Sequence, residues 1–118
     1  MGRLTTHVLD TAHGRPAAGM IIALQTLAED GAFRLLKQVE TNADGRTGEP
    51  LLDGDALLAG TYQLVFMAGD YFRRIGVDLP DPPFLDHVPV RFGIADRTAH
   101  YHVPLLVSPY GFSTYRGS

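Results

Sequence analysis

The sequence has no cysteine, and Lys37 is its only lysine. Without cysteine there is no disulfide framework, no thiolate nucleophile and no cysteine-ligated zinc site. Positive charge is scarce as well. Ten Lys and Arg residues against thirteen Asp and Glu leave a net charge of −3. No basic run is available to neutralise phosphates, which argues against a nucleic-acid partner. No apolar run approaches the roughly 18 residues of a membrane span, so no membrane partner is expected. The start, Met1-Gly2-Arg3-Leu4-Thr5-Thr6-His7, lacks the pattern of a signal peptide and reads as structure. These absences predict a small intracellular protein with a cytoplasmic location.

What is present fits one folded unit. The chain has 118 residues, and 45% of them are hydrophobic. That length matches one domain over residues 1–118 and buries enough surface for a core without staples. Turn chemistry recurs at short intervals: His13-Gly14-Arg15-Pro16, Asp30-Gly31, Asp44-Gly45, Asp53-Gly54, Gly69-Asp70, Pro80 to Pro83 and Pro109 to Gly111. Runs of strand length lie between them: Leu4–Thr11, Met20–Ala28, Phe33–Thr41, Thr61–Ala68, His87–Ala95, His100–Ser108 and Phe112–Arg116. This spacing predicts an all-β sandwich or barrel. Gly69 to Arg74 is read as one short helix with Asp70 as its N-cap. Alternation puts Tyr62, Leu64, Phe66 and Ala68 on a core face.

The histidines carry the chemistry. On a strand over His100–Ser108, Tyr101, Val103, Leu105 and Val107 point inward, and His100, His102, Pro104 and Leu106 point outward. The two imidazoles then stand about 7 Å apart on one face. That face turns apolar at Pro104 and Leu106, as an interface with a site in it would. Thr5, His7 and Leu9 share a face in the first strand. Each histidine taken singly is compatible with a plain solvated strand. Three imidazoles from His7, His100 and His102 also suit zinc, which leaves a metal-binding interaction protein as one alternative. Arg46 follows the turn Asp44-Gly45, and its planar fork suits a ligand rich in carbonyls and nitrogens. Pro109-Tyr110-Gly111 should turn the chain back, running the last strand antiparallel to His100–Ser108 with Tyr115 beside the histidine face.

Thr6-His7-Val8-Leu9-Asp10, Asp44-Gly45-Arg46 and Tyr101-His102-Val103-Pro104-Leu105-Leu106, followed by Ser108-Pro109-Tyr110-Gly111, together resemble the transthyretin-related proteins. The ending Tyr115-Arg116-Gly117-Ser118 resembles the branch that hydrolyses 5-hydroxyisourate. The hormone-carrier branch lacks that tetrapeptide and both matched histidines. The resemblance runs from Leu4 to Ser118. It implies a β-sandwich of two four-stranded antiparallel sheets with one short helix. It also implies a homotetramer, a dimer of dimers, with active sites at the dimer–dimer interface around a central channel. The catalytic residues it implies are His7, Arg46, His102 and Ser118. The substrate-binding residues are His7, Arg46, Tyr115 and Arg116. No metal and no cofactor are implied. The reaction would convert 5-hydroxyisourate to 2-oxo-4-hydroxy-4-carboxy-5-ureidoimidazoline, between urate and allantoin. A transthyretin-like carrier of a small ligand, without catalysis, is the alternative. Histidine, with an ordinary pKa of about 6.5, can take or give the protons such a hydrolysis needs.

Overall fold

Period-two alternation between Gly- and Pro-containing turns produces eleven strands and one α-helix in the computed structural model, which describes residues 1–117. In chain order they are β1 (Arg3–Thr5), β2 (Val8–Asp10), β3 (Arg15–Pro16), β4 (Ile21–Leu27), β5 (Phe33–Glu40), β6 (Leu52–Asp53), β7 (Gly60–Met67), α1 (Ala68–Arg74), β8 (His87–Ile94), β9 (His100–His102), β10 (Leu105–Ser108) and β11 (Gly111–Thr114). One sheet runs β5-β4-β7-β8 and is antiparallel throughout. Tyr62, Leu64, Phe66 and Ala68 do line the core, and Leu64, Phe66 and Ala68 are fully buried.

The other sheet corrects the expectation of purely antiparallel pairing. Its segments are β11-β10-β2-β3 and β6-β1-β9, and the pairs β1/β9 and β2/β10 are parallel. Two parallel strands need a long crossover, and here nearly the whole chain lies between them. The expected strands Leu4–Thr11 and His100–Ser108 are each interrupted at the same level. The register is constant, Thr5 facing His102 and Val8 facing Leu105, so His7 lies opposite Pro104. The Val103 N–H still donates to the Thr5 carbonyl and the Leu105 N–H to the His7 carbonyl on either side of Pro104. Thr6 fills part of the gap, its hydroxyl donating to the Val103 carbonyl at 2.7 Å. Joined across these breaks, the second sheet is four positions wide: β11, β9/β10, β1/β2 and an outer edge shared by β3 and β6.

The short helix forms where expected, but Asp70 is not its N-cap. The helix starts at Ala68, so Asp70 sits inside the first turn, where its charge still suits the helix dipole. Tyr71 fastens the helix to β2, its hydroxyl donating to Asp10 Oδ2 at 2.8 Å. Burial, followed by that hydrogen bond, pushes the Tyr71 hydroxyl up to about 12. The inward residues Leu4, Val8, Leu105 and Val107 join Ile22, Leu24, Leu64 and Phe66 in one core between the layers. The outward set on β1, β2 and β9 is thereby left for the site. Among the described residues no helix is long and apolar enough to cross a membrane.

Candidate active site

Three chain segments meet where β1/β2 and β9/β10 are interrupted. The turn after β5 supplies Arg46. Asn42 organises this turn, its side-chain oxygen accepting from the N–H groups of Asp44 (2.9 Å) and Arg46 (3.2 Å). Gly45 adopts φ +73° and approaches so closely that a Cβ would collide with the Val8 carbonyl oxygen. Its own carbonyl accepts from the Val8 N–H at 2.8 Å. Only glycine meets both demands at low cost. The result is a bridge pairing His7 with Arg46.

His7 is half-buried, and its Nε2 lies 2.9 Å from the Asp44 carbonyl oxygen. A carbonyl oxygen only accepts, so Nε2 carries the proton and the lone pair of the neutral ring is on Nδ1. His102 is also half-buried, and its Nδ1 lies 2.8 Å from Thr5 Oγ1. Burial, then the Arg46 guanidinium, then His7 hold the His102 imidazole below the usual histidine value. All three causes disfavour the charged ring, so His102 is neutral at pH 7. A cleft of about 550 Å³ opens here, lined by Arg3, Thr5, Arg46, Thr47, His100 and His102. The His102 imidazole beside a permanent guanidinium can take a proton from water while the guanidinium stabilises charge developing on a carbonyl oxygen.

Arg46 and His102 line this cleft, and His7, bridged to Arg46, is not part of its lining. The terminal segment divides. The register Leu105 to Thr114 continues past β11, so that His102 bridges Gly117 and Tyr115 faces Pro104. Tyr115 thus shares the alternate set of the histidine face, and it is 59% exposed. Arg116 does not share that face. It falls on the opposite set, its guanidinium 4.2 Å from the centre of the Tyr101 ring and donating to the His100 carbonyl at 3.1 Å. Ser118 lies outside the described residues. His13 pairs with buried Asp10 at 2.7 Å and His87 opens β8, both away from the cleft. Among the described residues no group of three or more His, Asp or Glu side chains is spaced to hold a metal ion, so His7, His100 and His102 do not form the zinc set weighed above. Sequence reasoning missed Thr5 and included Gly117 only as part of the terminal tetrapeptide. Thr5 was visible on the His7 face, but its partner depends on the parallel β1/β9 pairing.

A sequence profile of the HIUase/Transthyretin family matches residues 4–117. The chain is similar to 5-hydroxyisourate hydrolase 2 of Rhizobium meliloti, with 65% identity over 99% of this chain and 97% of that protein. The solved structure of Klebsiella pneumoniae 5-hydroxyisourate hydrolase superposes with a TM-score of 0.81, at 35% identity and covering 100% of each chain. Sea bream transthyretin in complex with thyroxine superposes with a TM-score of 0.87, at 25% identity over 98% of this chain and 94% of that one.

Proposed function

The chain belongs to the HIUase/Transthyretin family, and from that premise we propose how it hydrolyses 5-hydroxyisourate. Water adds to an electron-poor ring carbonyl, and the ring C–N bond then breaks. His102 Nε2 takes one proton from the attacking water as a general base. The imidazolium so formed returns that proton to the ring nitrogen as it leaves, so one water is consumed and the enzyme is unchanged. Arg46 orients the ring and balances the charge that develops on the carbonyl oxygen. His7, whose Nε2–H is committed to Asp44, accepts a ring N–H of the substrate at Nδ1. Tyr115 and Ser118 contact the substrate through hydroxyl or main-chain groups. Arg116, stacked on Tyr101, holds the terminal segment in position.

The observation that carries this reading is the convergence of His7, Arg46 and His102 from three separate segments, with His102 kept neutral. Loss of 5-hydroxyisourate, made fresh from urate with urate oxidase and followed against its spontaneous decay, tests it directly. A rate no faster than the spontaneous one would overturn it. The carrier alternative is not favoured. The likeness to transthyretin stands at 25% identity, against 65% for a hydrolase.

Arg46→Lys separates a charge from a fork. Lysine keeps the positive charge but cannot bind in two places at once, so kcat/KM should fall by about 10–100-fold. Equal rates would mean that only a point charge is needed there.

The same reading includes one transthyretin-like domain over residues 1–118, supported by a single core shared between the layers. It also includes a homotetramer, a dimer of dimers. Leu9 and Leu106 are paired neighbours on the outward face that stay only half-buried. A closed D2 assembly covers such a face. Sedimentation should give about four times 12.9 kDa. A stable, fully active monomer would contradict both the assembly and a site built across it. A cytoplasmic location and a place in urate degradation to allantoin complete the reading, supported by the small-metabolite substrate.

A further inference from the structure

The His102 ring is held at two points by groups that take no part in the proton transfers above. At its edge, the β1/β9 pairing brings Thr5 Oγ1 within 2.8 Å of Nδ1. Across its face runs the backbone of Gly117, whose N–H donates to the His102 carbonyl at 2.7 Å. A Cβ built on Gly117 would lie 2.6 Å from His102 Cδ2 and 3.2 Å from both Cβ and Cγ. Gly117 does not have the positive φ that would call for glycine by conformation. The requirement is for space alone.

We propose that Thr5 and Gly117 are positioning residues for His102: Thr5 accepts the Nδ1–H and leaves the Nε2 lone pair to the cleft, and Gly117 lets the terminal segment close over the ring without displacing it. This rests on the reading of His102 as the base. A threonine hydroxyl can donate or accept, but an imidazolium only donates. If Thr5 already accepts from the neutral ring, proton uptake at Nε2 requires no rearrangement behind it. If Thr5 donated instead, Nε2 would carry the hydrogen and could not take one from water. A hydroxyl is also uncharged, so it accepts the Nδ1–H without stabilising the imidazolium as a carboxylate would. That agrees with a ring held below the usual histidine value by burial and by the positive Arg46. The second point explains why glycine precedes the last residue. Any side chain there would occupy the volume of the ring.

The tautomer can be read without turnover. In protein labelled with ¹⁵N-histidine, long-range ¹H–¹⁵N spectra distinguish a protonated ring nitrogen from one with a free lone pair. The His102 signals are identified by their loss in His102→Asn. The wild type should show a protonated Nδ1 and an unprotonated Nε2. Thr5→Val keeps the β-branched shape that suits the strand and removes the hydroxyl. It should mix the tautomers and lower kcat by about 10-fold or more, with KM little changed, whereas Thr5→Ser should retain both tautomer and rate. Gly117→Ala should move the His102 ring signals and lower kcat by at least as much. A wild-type ring protonated at Nε2, or a Thr5→Val ring with unchanged tautomer, overturns the part given to Thr5. Unchanged ring signals and rate in Gly117→Ala overturn the part given to Gly117. A tautomer that mixes with no loss of rate keeps Thr5 as the positioning group and instead removes His102 as the base, so the two failures are told apart.

Discussion

Replacing His102 with Asn lowers kcat for 5-hydroxyisourate by about 10²–10⁴-fold, the usual contribution of a general acid–base group. The fold should persist in this variant. The His102 side chain faces the cleft and is only half-buried, and the inward neighbours Tyr101 and Val103 are untouched. Asparagine can still hydrogen-bond to Thr5 but has no basic nitrogen. His7→Asn should also cost activity, because the ring that bridges Asp44 to the substrate is lost. The pH profile adds a sign. Burial, Arg46 and His7 hold His102 below its ordinary value, and in the proposed mechanism the neutral ring is the working form. Activity should therefore persist as pH falls through about 6.5 and decline only below that, on the acid side of the shifted value. In His102→Asn this acid limb should disappear. Activity within a factor of about two of wild type would remove His102 from the mechanism, given what such a group ordinarily contributes.

Deleting residues 115–118 should have an effect of comparable size, at least about 10²-fold, at a place where chains usually tolerate change. The deletion removes the Gly117 N–H bond to the His102 carbonyl. It also removes the Arg116 guanidinium from the Tyr101 ring and from the His100 carbonyl. Each of these contacts restrains β9, the strand that carries His102. The sandwich should still fold, because β11 ends at Thr114 and the core residues Leu105 and Val107 pair with Thr114 and Phe112, which the deletion leaves in place. A bulky tag directly after Ser118 should impair turnover by crowding the site mouth, and an N-terminal tag should do less harm. Circular dichroism, sedimentation and the fresh-substrate rate, measured on the same preparations, check this. A truncated tetramer with undiminished rate would show that the terminal segment has no working part here.

By itself the sequence determined the β layers, the short helix, the core faces and the residue types of the site. Those features are local. Alternation along Tyr62 to Ala68 or Tyr101 to Val107 is set by a two-residue period, and Asp30-Gly31 or Pro109-Tyr110-Gly111 turns the chain whatever lies elsewhere. The motif carrying His7, Arg46 and His102 was legible for the same reason, each residue being recognisable within a few neighbours. Tertiary structure alone decided what touches what. Thr5 and His102 are 97 residues apart in sequence, and their contact exists because β1 and β9 pair in parallel at one register. No local pattern encodes that register. Pro104 lies opposite His7 on one edge of the strand, and on the other edge the Gly45 turn, held by the Val8 N–H, brings in Arg46. Side-chain direction at the chain end was likewise a matter of pairing. One position along an antiparallel partner reverses the face, which turns Arg116 toward Tyr101 and sets Gly117 against the His102 ring.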